Sequence, residues 1–494
     1  MNLTDINNTG RDKDRLDSRL FAVFGLMAAI VSGAIIAELQ NVSLLLAILA
    51  ILGSVLLFYA RKPFSGFIIL YIATQLSGYR YDYGILTLRS DQLALIVVLI
   101  GWCFSFLRGK SRIYSTILNI PIAILLITGV ISSYLFSPMK FQSYQSVFLQ
   151  FVYILIYFFT VNVLLDNRKK IDWVVKFVMV VGVLHIVYAI VAQLFFLSGV
   201  YIGGISPSGR RVNRPLTSGF FQESDLLGAY AGMMIAIFAA HLFKKDGTGV
   251  FNLRVLIIAM MLFIYAAISS FARAPWIGII LIIIFYVFYA KPPKTLFNPR
   301  TVTFLISAAL AFLVIIFPVL NFAYSEFSGK ENMLWSRFQE ILNFESGSGA
   351  GRVKVQEYAL YKWEKHPVIG NGVLSLPREE VAEQVAAPSP WLYSSVIQSL
   401  HDTGLVGAAC MLWIHIAPVI YALYASRKAR TAERRAYLVG LSMGAVVMGV
   451  SSQSSSFFML GFPWIYTAIL VAIAKITLQE AETPRNDQLV LKHV

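Results

Sequence analysis

Charge is what this sequence has least of. Only 14% of its 494 residues are charged, against about 25% in a soluble domain. The remainder is 57% hydrophobic with a mean hydropathy of +0.70, so the chain reads as one that lives in lipid. Cysteine is nearly absent. Cys103 and Cys410 both sit inside apolar runs, which leaves neither a disulfide framework nor a CxxC metal site. An Asp-x-Asp spacing occurs at Asp12-Lys13-Asp14, in the polar N-terminal stretch, and none occurs on the face read below as external. That argues against a metal-dependent nucleotide-sugar transferase. No GxxxxGK[ST] or GxGxxG stands in a strand–turn–helix context, so nothing supports ATP-driven chemistry. No cofactor and no metal is called for. Internal repeats are missing too, and low complexity is confined to the Ser-rich SSQSSS at 451–456.

What fills the chain instead is a series of apolar runs. A membrane span needs about 20 such residues, and roughly 17 to 25 suffice. Spans are expected near 20–38, 43–60, 63–79, 92–107, 116–136, 147–166, 172–198, 223–243, 254–271, 275–290, 301–321, 405–425, 436–452 and 457–476. The fold class is therefore an all-α integral membrane protein, a polytopic bundle of about 12–14 transmembrane helices with one large external loop containing short helices.

The net charge of +15 would suit nucleic acid, but the cations cluster in short loops between the apolar runs. Arg61 and Lys62, Arg108 to Arg112, Arg168 to Lys170, Lys244 and Lys245, Lys291 to Arg300 and Arg427 to Arg435 all fall on one side. The positive-inside rule makes that side the cytoplasm and removes the case for a nucleic-acid partner. The N-terminal residues 1–19 share it; they are too long and polar for the start of a cleavable signal peptide and read as a cytoplasmic tail. Residues 20–321 then form the main bundle of about eleven helices, 322–404 the large external loop, 405–476 the last spans and 477–494 a cytoplasmic C-terminal tail.

Three helices are expected in the loop. Leu334, Trp335, Phe338, Ile341 and Leu342 follow helical spacing, a second helix runs from Arg352 to Trp363 after a breaking SGSGAG run, and a third covers Trp391 to Asp402. His366-Pro367 stops the second.

The informative residues are cations on the wrong side. Arg210, Arg211 and Arg214 crowd the loop after the seventh apolar run, Arg273 sits at a tight external turn, and Arg352 follows the Gly/Ser run. Topology does not explain them, and their insertion costs energy. A guanidinium keeps its charge and grips phosphate oxygens in a bidentate fork, so such a set suits a diphosphate displayed at the outer boundary. Snorkelling, or pairing with Glu223 and Asp225, is the plainer account of any single one; Glu223 and Asp225 themselves suit the start of the following helix. Among the histidines, His185 and His415 lie in spans and suit helix-to-helix hydrogen bonds. His241 is incidental and His366 suits a helix end. His401, beside Asp402 at the external boundary, is the better proton acceptor.

At these residues the chain resembles the O-antigen ligase/polymerase superfamily, membrane enzymes that ligate or polymerise bacterial surface glycans. Three pieces carry the resemblance: Arg214-Pro-Leu-Thr-Ser-Gly-Phe-Phe followed by Gln222 to Asp225; Ser269-Ser-Phe-Ala-Arg273-Ala; and an arginine-led helix ending in His366-Pro-Val-Ile-Gly370-Asn-Gly372, followed by Thr403-Gly-Leu-Val-Gly407. The resemblance covers roughly 200–425. It implies a bacterial cytoplasmic-membrane glycosyltransferase with a polyprenyl-diphosphate glycan donor and a glycan or lipid acceptor, set among membrane lipids and working with flippase and chain-length regulator proteins. In that reading Arg214, Arg273, His401 and Glu223 are catalytic, and Arg210, Arg211, Arg352, Asp225, Tyr393 and Asp402 bind substrate. One departure matters. Ligases of the family usually carry a histidine about eleven residues before the glycine of the GLVG-like turn, where this chain has Tyr393, which favours a polymerase. A transporter would put its ionisable residues or broken helices near mid-membrane, and this chain strands its charges at the edge.

Overall fold

The computed structural model describes residues 62–78, 80–83, 86–206, 216–242, 252–289, 347–376, 392–455 and 457–483. They form twelve helices and a hairpin: α1 Pro63–Gln75, β1 Arg80–Tyr83, β2 Leu86–Arg89, α2 Ser90–Leu107, α3 Asn119–Leu135, α4 Lys140–Asp166, α5 Ile171–Leu197, α6 Ser224–Leu242, α7 Leu253–Ser269, α8 Arg273–Tyr289, α9 Gly347–Trp363, α10 Ser395–Lys428, α11 Ala432–Ser451 and α12 Gly461–Glu482. The protein is an all-α polytopic membrane fold, with the β1–β2 hairpin a small addition in which Arg80 pairs opposite Arg89. Six helices, α2, α4, α5 with the 3-10 turn before it, α6, α10 and α12, are long and apolar enough to cross a bilayer. The chain divides into two units, residues 1–70 with 94–110 and residues 71–93 with 111–494. All contacts described below lie within the second.

Inside lipid every backbone polar group needs an internal partner, and polar side chains in the helices turn back on their own backbone. Thr128 donates to Ile124 O at 2.8 Å, Ser442 to Leu438 O at 2.7 Å and Thr477 to Ile473 O at 2.8 Å. Close packing rests on small residues. Helices α6 and α11 each carry glycines four residues apart, Gly228/Gly232 and Gly440/Gly444, and they lie against one another. A Cβ at Gly440 would sit 2.9 Å from Ile237 Cα, one at Gly232 would sit 2.7 Å from Val447 Cγ1, and one at Gly444 would overlap the Tyr466 hydroxyl. Small residues at this spacing let helices without a hydrophobic driving force approach and gain dispersion contacts.

The loop helices differ from the sequence expectation. Helix α9 starts at Gly347, so most of the SGSGAG run is helical rather than a break. Val355 and Ala359 of α9 pack with Leu376 and Leu392, and this burial outweighs the weak helix propensity of glycine and serine. The helix expected at 391–402 is the first part of α10, which continues into the membrane past a kink at Gly404. Helix α12 runs on to Glu482, past the expected start of a tail at 477. The helix expected around 334–342, and the spans near 20–38, 43–60 and 301–321, lie outside the described residues.

Candidate active site

Several loops meet at one end of the second unit, and the three sequence motifs each have a structural task there. Gly219 adopts φ +58°, and a Cβ on it would stand 2.6 Å from His185 Nε2. Phe220 N donates to that same nitrogen at 3.0 Å, its ring stacks on Tyr188 at 3.9 Å, and Phe221 packs 5.1 Å from Phe462. His185 therefore bonds a loop rather than a neighbouring helix. The Gly-Phe-Phe piece anchors the segment leading into α6. Its other side is zipped, Ser206 N to Leu216 O at 2.9 Å, and Thr217 bonds Ser269 O at 3.4 Å, beside the turn that precedes Arg273. Arg210, Arg211 and Arg214 fall between these anchors and outside the described residues.

The Ser269–Arg273 turn is tight. Phe271 takes a left-handed φ of 55°, Ser270 Oγ accepts from Ala272 N at 3.3 Å, and Trp276 Nε1 donates to Ala267 O at 2.8 Å. Arg273 opens α8 there, half-buried. Gly228 of α6 lets this turn come close, since a Cβ would lie 2.5 Å from Ser270 Oγ and 3.1 Å from Ala272 Cβ. Asp225, one turn earlier on α6, shares that end, and Glu223 is exposed just before the helix.

Helix α9 brings Arg352 to the same place. Its guanidinium lies 3.6 Å from Asp225 Oδ2, donates to Ser454 O at 3.0 Å and sits 4.7 Å above the Tyr393 ring. Ser455 Oγ donates to the same Asp225 oxygen at 3.0 Å. Arg352 and Asp225 keep side-chain exposures of 30% and 28%, so the pair is reachable from solvent. Tyr393 is held at a left-handed φ of 59°, an uncommon state for an aromatic residue that marks local strain. The Ser-rich turn at 451–455 is the dock for this corner: Ser394 donates to Gln453 Oε1 at 2.8 Å, Ser395 N to Ser452 O at 2.9 Å, and His415 Nε2 lies 3.1 Å from Ser452 Oγ.

The third motif is a clamp on a broken helix. At Gly404 (φ 66°, ψ −163°) α10 leaves helical geometry, which strips two i→i+4 bonds, from Leu405 N to His401 O and from Val406 N to Asp402 O. The His366–Gly372 segment replaces both. Leu405 N donates to Pro367 O at 2.9 Å and Val406 N to Val368 O at 3.2 Å, while His401 O accepts from Asn371 N at 2.8 Å and Asp402 O from Gly372 N at 3.0 Å. Asn371 Nδ2 adds a bond to Lys362 O at 3.1 Å, tying the clamp to α9. His366 N donates to Trp363 O at 2.9 Å as α9 ends, and its ring stacks on Phe136 at 3.9 Å.

Asp402 belongs to this clamp. Its Oδ2 accepts from Leu374 N at 3.0 Å and Gln398 Nε2 at 2.9 Å, and its Oδ1 from His401 Nδ1 at 2.8 Å. With Gln150, Gln398, Ser399 and Met459 it lines a cavity of about 40 Å³, enough for a water molecule. His401 is 2% exposed and does not line that cavity. Of the residues proposed from sequence, the structure brings Arg352, Asp225 and Tyr393 into contact and sets Glu223 and Arg273 at the same helix ends, while His401 and Asp402 form a separate buried pair. Arg89, at the end of β2, was not read as a candidate: it donates to Met459 O at 3.1 Å and to the Tyr153 hydroxyl at 3.4 Å. The signal was available, since Arg89 is a cation between two apolar runs.

Residues 258–412 match the family model described as O-antigen ligase. Over that segment the chain is similar to this family. The match runs from within α7 through Arg273, α9, Arg352 and the clamp to Leu412 of α10, and it supports the resemblance read from the motifs. Asp225 and the Arg210–Arg214 stretch precede the matched segment. No curated protein matches the chain. A match to this family on a multi-pass membrane fold supports a membrane function of the ligase or polymerase kind.

Proposed function

We propose that the protein polymerises oligosaccharide repeat units carried on polyprenyl diphosphate, at the outer face of a bacterial cytoplasmic membrane. The observation that carries this reading is the meeting of Arg352, Asp225 and Tyr393, drawn from three distant segments, at the helix ends that also bear Arg273. A hydroxyl of one lipid-linked unit attacks the anomeric carbon of another. The bond from that carbon to the diphosphate oxygen breaks, and its electron pair leaves with the lipid diphosphate. Arg352, Arg273 and the Arg210, Arg211 and Arg214 loop offset the charge that grows on the leaving group, commonly the largest contribution to such catalysis. Glu223 takes the proton from the acceptor hydroxyl, its carboxylate exposed where α6 begins. Tyr393 offers a ring face to the acceptor sugar, held in place by Arg352. The His401–Asp402 pair acts through the clamp, as positioning residues. Tyrosine in place of the ligase histidine favours polymerisation over transfer to a lipid core or protein.

Purified protein given one polyprenyl-diphosphate oligosaccharide and nothing else is expected to yield a ladder of products. A product that forms only after a separate acceptor is added means a ligase, and no turnover under either condition overturns the reading.

A further inference from the structure

We infer that the apolar groove between α3 and α4 holds the isoprenoid chain of the lipid donor, an inference that rests on the function proposed above. The groove is lined by Leu126, Ile127 and Val130 of α3 and by Tyr144, Phe148 and Phe151 of α4, with Val147 as its floor, and it holds about 480 Å³. That is within the ~300–1,000 Å³ of ligand pockets, whereas a plain lipid-facing helix surface is convex. None of its lining side chains is charged.

Its position singles out this occupant. Along α4 the groove begins four residues after Lys140 and ends at Phe151, so it covers roughly 10 Å of helix at ~1.5 Å per residue. On α3 it spans the middle of the helix, from Leu126 to Val130. The two helices are joined by the 136–139 turn, where Phe136 stacks on His366 of the clamp. Only one layer of side chains separates the groove from the cavity that Asp402 lines. Val147 packs with Val373, Leu374 and Met459, and these three also line the cavity that Asp402 faces. Leu125 faces the cavity and its neighbour Leu126 the groove. Gly129 keeps the layer thin, since a Cβ there would stand 3.3 Å from Val373 Cγ2.

The mouth carries a cation. Lys140 is exposed at the start of α4, its ammonium 5.6 Å from the Tyr134 ring centroid. An apolar trough beside the clamp, topped by a positive charge, complements a long hydrocarbon with an anionic head. A polyprenyl diphosphate seated there has its tail between α3 and α4 and its head group directed toward the clamp.

The test compares a long-chain polyprenyl-diphosphate donor with a two-isoprene analogue carrying the same glycan. Ile127, 59% exposed, tolerates Ile127→Trp without touching the core. That substitution fills the groove and is expected to raise KM about tenfold for the long-chain donor, which shrinks its advantage over the short one. A long-chain polyprenyl diphosphate bearing a tail diazirine is expected to crosslink within 126–151, and excess phosphatidylglycerol is expected not to displace it. An equal effect on both donors, crosslinks elsewhere, or displacement by phosphatidylglycerol overturns the inference. If the native protein turns over neither donor, the polymerase reading fails, while crosslinking still decides the groove by itself.

Discussion

Arg352 sits between two kinds of partner. A guanidinium has five N–H donors, and among the described residues its contacts are Ser454 O, the Asp225 carboxylate and the Tyr393 ring. That arrangement fixes the fork's plane while leaving donors for phosphate oxygens. Lysine would keep the charge and lose the plane, the fork and the stacking. Arg352→Ala is therefore expected to lower kcat/KM by about 100-fold or more, the scale set by loss of one transition-state donor. Arg352→Lys should recover only a small part. Thermal stability should barely move, because a partly exposed ion pair contributes about 1 kcal/mol or less. A melting curve beside a ladder assay checks both halves: a large drop in Tm, or turnover close to native, would assign Arg352 a structural role.

The kinked α10 and its clamp show how an element can be set by a partner remote in sequence. Four backbone groups orphaned by the break at Gly404 are all satisfied by residues 367–372, and the contact is too tight for any side chain. A Cβ on Gly370 would lie 2.5 Å from the Asp402 carbonyl, and one on Gly404 would overlap the Val368 carbonyl. Both glycines also hold positive φ, +75° and +66°. Gly404→Ala and Gly370→Ala are each expected to destabilise by more than about 2 kcal/mol, combining conformational strain with a backbone clash that cannot relax by rotamer change. Thermal unfolding in detergent should show the loss, whereas Gly109→Ala, at a similar positive φ of +67° but with open space around it, should show only the strain and none of the clash. Helix positions were legible because runs of about 20 apolar residues allow few alternatives in lipid. The clamp was not. His366-Pro-Val-Ile-Gly370-Asn-Gly372 is visible as a pattern, but nothing local says that its carbonyls answer the amides of Leu405 and Val406. The same holds for SGSGAG, which local propensity makes a break and the packing of Val355 and Ala359 makes a helix. Asp225 and Arg352 were each readable as a charge at a boundary; their pairing, 127 residues apart, required the fold.

At the scale of the molecule, the site has meaning only if its end of the bundle faces outward. Arg112 and the basic loop Arg168–Lys170 lie at the opposite ends of α3, α4 and α5 from the 136–139 and 198–206 segments, and cytoplasmic loops are the ones enriched in lysine and arginine. The proposed orientation assigns α9, the clamp and the 452–455 turn to the external side, and Lys428 to the cytoplasm. Both Glu364 and Lys428 are exposed, so each can report its side as a single cysteine once Cys103, the exposed native cysteine, is changed to serine. In intact cells a membrane-impermeant maleimide should label the cysteine of Glu364→Cys. The cysteine of Lys428→Cys should react only after permeabilisation. A sugar on a polyprenyl diphosphate meets the Arg352 corner only from the outer side in this arrangement. The reverse labelling pattern would put that corner in the cytoplasm and leave polymerisation at the outer face without a site.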